Sequence, residues 1–208
     1  MKRELKKSVI YALYGISFLL LVGGVIGMLY ATKKVSNTGY QYVSKGILDY
    51  ENKVEVVNTK DTIKRPYNDT KVSIVKSFYN YKDEAKNQEK SLIFYEGTYM
   101  QSSGISYSNG DVFDIVSILP GEVSEVKEDD ILGNIITIKH SNNITSIYQS
   151  VKDISVKMGD KVTSGQTIAK SSTSNISKEL NNHLYFELII DGICVNPEEY
   201  FDKSVNEI

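Results

Sequence analysis

From Ser8 to Tyr30 the chain runs for 23 positions without a charge, and Ala31 and Thr32 carry the run to Lys33. About 20 apolar residues cross the hydrocarbon core of a bilayer, so the run predicts a transmembrane helix over residues 8–32. A cleaved secretory signal is the rival reading, but its apolar core is about 7–15 residues and ends on small residues. Here the run is longer, and Leu29-Tyr30-Ala31 makes a poor cleavage site. Lys2, Arg3, Lys6 and Lys7 precede it, offset only by Glu4, which predicts a cytoplasmic tail over residues 1–7. Residues 33–66 are polar with brief apolar runs such as Val54-Glu55-Val56-Val57. They read as a membrane-proximal linker or small hairpin that ends at Arg65-Pro66, because proline restricts the residue before it.

Beyond Lys71 the pattern changes to short β-rich runs, at 72–79, 91–95, 114–119, 122–126, 134–139, 145–149, around Val162, at 166–170 and at 184–190. Pro120-Gly121, Gly133-Asn134, Gly159-Asp160, Ser164-Gly165 and Asp191-Gly192 supply turns between them. The charged stretch 82–90 predicts one or two helical turns. Many short strands at close spacing predict a mainly β domain over residues 67–203, with 204–208 left as a tail.

Composition narrows the chemistry. The chain has 24 Lys+Arg against 26 Asp+Glu, which offers no footprint for nucleic acid. Past residue 34 the balance is 18 basic to 25 acidic, a net of −7, with no basic patch for anionic lipid. A single Cys excludes an intramolecular disulfide and any cysteine-built metal cluster, and two His exclude every site that needs three. Cys194, within Ile193-Cys194-Val195, reads as a strand residue buried as a small hydrophobe. The sequons at Asn68, Asn143 and Asn175 are three-residue matches of high chance frequency.

One stretch is specific. Residues 156–168 have the form V-K-x-G-D-x-V-x-x-G-Q-x-I, a strand, a Gly-Asp turn, a strand, a second Gly turn and a strand. Biotinyl and lipoyl carrier domains share such hairpins, but they need a Met-flanked Lys upstream, and Lys157-Met158 lies inside the run. The segments 136–140 and 145–150, His183-Leu-Tyr185-Phe186-Glu187 and Val195-Asn196-Pro197 follow in an order that resembles the LytM domain of M23 peptidoglycan endopeptidases, over roughly residues 66–202. The resemblance implies a LytM-type β-sheet fold. In active members it also implies a zinc held by a His and an Asp of an H-x-x-x-D motif and by the second His of H-x-H, with further histidines serving the attacking water.

Position by position, this chain departs from that set. Ser102 and Ser106 stand where the first His and Asp are expected; a shifted register would offer Gly110 and Asp114 instead, still without the His. Ser150 replaces the catalytic His of Tyr148-Gln149-Ser150. His183 is kept, while Tyr185 replaces the metal-ligating His, and His140 falls outside the set. Neutral hydroxyls are weak zinc ligands beside imidazole and carboxylate. The expectation is therefore a degenerate LytM domain with no metal, no cofactor and no peptidase activity, whose vestigial site is Ser102, Ser106, Ser150, His183 and Tyr185.

Residues 75–79, 94–102 and 148–153, together with the short basic tail and single span, resemble the sporulation branch of these domains, the stage II sporulation protein Q family. That resemblance implies a forespore-membrane protein with its LytM domain in the intermembrane space. There it would bind the extracytoplasmic domain of stage III sporulation protein AH from the mother cell, in a ring-like hetero-oligomeric channel that supports engulfment and forespore development. The alternatives are a regulator that activates a separate cell-wall hydrolase and, last, an active endopeptidase acting on peptidoglycan.

Overall fold

The computed structural model describes residues 61–208. They belong to one compact unit, Lys53–Ile208. The expected cytoplasmic tail, the transmembrane helix over 8–32 and the linker up to residue 60 lie outside the described residues. Among the described residues, no helix is long and apolar enough to cross a membrane.

Among the described residues, twelve strands and one short α-helix follow in chain order. They are β1 (Ser73–Lys76), α1 (Ala85–Lys90), β2 (Leu92–Tyr95), β3 (Thr98–Gln101), β4 (Ile105–Ser108), β5 (Asp114–Val116), β6 (Gly121–Lys127), β7 (Asn134–Lys139), β8 (Ile144–Lys152), β9 (Lys161–Val162), β10 (Thr167–Ser171), β11 (Leu184–Ile190) and β12 (Ile193–Val195). The main sheet runs β1-β4-β11-β8-β7-β6-β9, with β5 and β10 branching from β8 and β12 pairing with β11; β2 and β3 form a separate hairpin. The mainly β reading of the sequence holds. The charged 82–90 stretch yields a six-residue helix, while β3 and β4, within the Ser102 and Ser106 region, had no strand assigned from the pattern.

Period-two alternation in β11 explains how the sheet serves two purposes. Leu184, Phe186 and Leu188 are fully buried, whereas Tyr185 and Glu187 between them face the other way. In β8 the same alternation sends Ile144, Ser146 and Tyr148 inward. The Tyr148 and Phe186 rings meet at 5.2 Å and 60° in the core.

A buried polar chain crosses this core. Ile118 N donates to the Tyr148 hydroxyl at 3.1 Å, which lies 3.2 Å from Ser146 Oγ. Ser146 Oγ in turn lies 2.7 Å from His140 Nε2, and His140 Nδ1 donates to the Pro120 carbonyl at 2.9 Å. Burial pushes Tyr148 up to about 12, so its hydroxyl keeps its proton at neutral pH. Tyr148→Phe should cost about 1–3 kcal/mol in urea denaturation, because it strands the Ile118 N–H in the interior. A loss within error would mean that water replaces the hydroxyl.

The folded body extends past both ends drawn from the sequence. Ile63 is fully buried, Ile63 N donates to Lys203 O, and Val116 N donates to Pro66 O. Arg65 Nη1 pairs with Glu198 at 2.8 and 3.0 Å, and Tyr107 donates to the same carboxylate at 2.7 Å. At the other end Val205 is buried, and Ser204 and Glu207 form a capping box around the turn Val205–Glu207. Apolar Ile63 and Val205 thus stitch the expected linker end and tail to the domain. The expectation for Cys194 needs correction. It is on a strand, β12, but β12 runs along the exposed side and the residue is solvent-exposed. Desolvation of the sulfur, with Glu187 adding, pushes the thiol up to about 11, which leaves it protonated and weakly nucleophilic.

Candidate functional site

Residues of the adjacent strands β11 and β8 line a groove of about 200 Å3. Tyr185 of β11 lines it and pairs in register with Ser106 on β4 and with Gln149 on β8. Ile93, Met100 and Gln101 of the β2–β3 hairpin line another part of the groove. Lys76 Nζ donates to Leu92 O at 2.8 Å and holds that hairpin against β1.

Ser150 reaches the groove through a β-bulge. Asn134 pairs with Val151 and Ile135 with Gln149, so Ser150 is the extra residue on β8. Its backbone is left-handed, with φ at +61°, a conformation that usually selects glycine or asparagine. Because of the bulge, Gln149 and Ser150 both line the groove, where a regular strand would send them to opposite faces.

His183 precedes β11 and is buried. Its Nδ1 lies 2.8 Å from Asn181 O; a carbonyl can only accept, so Nδ1 carries the proton in the neutral ring and Nε2 is the acceptor. Ser150 Oγ at 3.1 Å and Ser174 Oγ at 3.3 Å face Nε2. Burial lowers the His183 pKa, so the imidazole is neutral at pH 7.

A second network lies beside it. Ser103 Oγ donates to Glu187 Oε1 at 2.6 Å, and the Tyr185 hydroxyl lies 3.3 Å from Ser103 Oγ. Burial, then the Glu187 charge, raises the Tyr185 pKa, so Tyr185 remains a neutral phenol. Ser102 is buried and its Oγ donates to Gly104 O at 2.9 Å.

The structure therefore joins His183 to Ser150 by a hydrogen bond and sets Tyr185 across from Ser106. Ser102 directs its hydroxyl to a local carbonyl. Asp114 belongs to β5 and faces Lys170 of β10 in register, so the shifted alignment with Gly110 builds no part of the groove. His140 is in the core with Ser146 and does not line the groove. Ser103, Gln149, Ser174 and Glu187 were not assigned roles from sequence. Glu187 was findable, two residues from Tyr185 on one strand face; Ser174 carries no local signal.

Zinc, which M23 peptidases use, does not fit these donors. Hydroxyls of Ser102, Ser106 and Tyr185 stand where the resemblance expects ligands, and the His183 nitrogen able to accept faces two serines. Among the described residues no group of three or more His, Cys, Asp or Glu gathers as a metal cage.

The sequence profile of Peptidase family M23 matches residues 100–197. Stage II sporulation protein Q of Bacillus subtilis (strain 168) is 35% identical over 158 residues, 74% of this chain and 56% of that protein. The chain thus spans little more than half the length of that relative. Peptidoglycan DD-endopeptidase ShyA of Vibrio cholerae is 33% identical over 90 residues, 43% of this chain and 18% of that protein. In the solved SpoIIQ–SpoIIIAH pore-forming complex, a chain matches with a TM-score of 0.69 and 33% identity, over 72% of this chain and 96% of that one. The chain belongs to the stage II sporulation protein Q family, on an M23-type fold.

Proposed function

We propose that this protein is a zinc-free scaffold of sporulation that binds the outer domain of stage III sporulation protein AH. In this reading residues 8–32 anchor it in the forespore membrane, and the LytM domain works in the intermembrane space. The two proteins assemble into a ring-like channel needed for engulfment and forespore development. The observation that carries the loss of zinc-dependent peptidase activity is the donor set, with Ser102, Ser106 and Tyr185 at the positions where the resemblance expects zinc ligands. Partner choice is supported by the likeness to the solved SpoIIQ–SpoIIIAH complex.

A second reading, a regulator of a cell-wall hydrolase, draws support from the persistence of a groove beside His183 and Tyr185. Purified residues 35–208 should carry no stoichiometric zinc by elemental analysis and should release no peptides from cell walls, with or without added metal. Stoichiometric zinc together with cleavage would overturn the scaffold assignment. Stimulation of a purified amidase would favour the regulator.

A further inference from the structure

Ser150 is buried and held in a left-handed conformation at the bulge in β8, with its Oγ 3.1 Å from His183 Nε2 and 3.3 Å from Leu132 O, the two acceptors within reach of its one proton. Behind the imidazole, Asn181 O fixes Nδ1 at 2.8 Å. Hydroxyl, base and an acceptor that orients the base are the three parts that activate a serine nucleophile. Backbone outliers of this kind persist where the surroundings over-determine them, and bulges re-aim side chains into sites. Ser150 and His183 both line the groove. Gln149 lines it too, and its side-chain amide makes no hydrogen bond among the described residues, so its N–H groups are free to meet an oxyanion.

The walls select the substrate. Ile93, Met100, Leu132 and Ile176 give an apolar lining, and Glu187 disfavours a second carboxylate. We propose that Ser150 and His183 form a serine-type acyl-transfer centre for short, uncharged acyl esters. Ser150 Oγ attacks the ester carbonyl carbon while its proton passes to His183 Nε2. The ester C–O bond breaks, the leaving alkoxide takes that proton, and acyl-Ser150 remains. Water then adds to the acyl carbon and gives a proton to Nε2; the bond to Oγ breaks, Oγ is reprotonated, and the carboxylic acid departs. This chemistry uses no metal and stands independently of the scaffold reading, since a chain that fails to bind its partner can still acylate.

The test treats the full chain with an alkyl fluorophosphonate, in which Oγ would displace fluoride at phosphorus, and locates the adduct by peptide mass spectrometry. p-Nitrophenyl acetate hydrolysis is followed in parallel. One adduct on Ser150 is expected. Ser150→Gly, which suits the left-handed backbone, should abolish it, and His183→Gln should slow labelling at least about 100-fold. Ser155→Ala, outside the groove, should label like the parent chain. No adduct on the folded chain, an adduct elsewhere, or labelling that survives Ser150→Gly would overturn the proposal.

Discussion

Gly104→Ala should destabilise the domain by about 3 kcal/mol, at the upper end of the overpacking range, because the new methyl has nowhere to go. A Cβ at residue 104 would overlap the Phe186 carbonyl oxygen and approach Glu187 Cγ to 2.8 Å. The first obstacle is backbone in β11, a central strand flanked by β4 and β8, so it cannot yield by rotating a side chain. The methyl must push β4 from β11 where Phe186 pairs with Ile105. The same displacement separates Ser103 from Glu187. Urea denaturation reads the loss directly, and a melt should fall by roughly 10 °C for a domain of this size. A cost under about 1 kcal/mol would show that the two strands are less tightly apposed than described.

Acid should weaken the fold well before its carboxylates titrate. His140 is almost fully buried, and burial lowers its pKa to about 4, only partly opposed by the hydrogen bond to Pro120 O. In the unfolded chain a histidine titrates near 6.5. Above that value both states are neutral and the contribution is fully present. As pH falls from about 6.5 to about 4, the unfolded state takes up a proton that the folded state refuses, so stability declines with acid. The gap corresponds to about 3 kcal/mol, a large share of a typical domain's stability. His183, also lowered by burial, adds in the same direction. Asp69 and Asp129 have lowered pKa values and act below this window. Urea midpoints between pH 7.5 and 4.5 should fall steadily below pH 6.5, and His140→Gln should flatten that slope. A flat profile in the parent chain would contradict a buried, neutral His140.

Strand positions were readable wherever alternation or turn glycines marked them: 134–139 and 184–190 coincide with β7 and β11. β3 and β4 escaped because Thr98–Gln101 and Ile105–Ser108 are polar or bury both faces, so neither shows a clean period of two. Motif order located His183, Tyr185 and Ser150, but their mutual geometry rests on a bulge that the sequence does not announce. Ser150 occupies a left-handed position without being glycine, and only the β7–β8 register reveals it as the extra residue. Cys194 was misjudged because three apolar-looking residues resemble a core strand; β12 covers only one end of β11 and leaves Ile193 and Cys194 open to solvent.

Calorimetric titration of residues 35–208 with the outer domain of stage III sporulation protein AH, first with chelator and then with added zinc, asks whether the partner is bound without metal. Saturable binding with the same Kd, within about twofold, is expected under both conditions. No binding by well-folded protein, or binding that appears only with zinc, would contradict the scaffold reading.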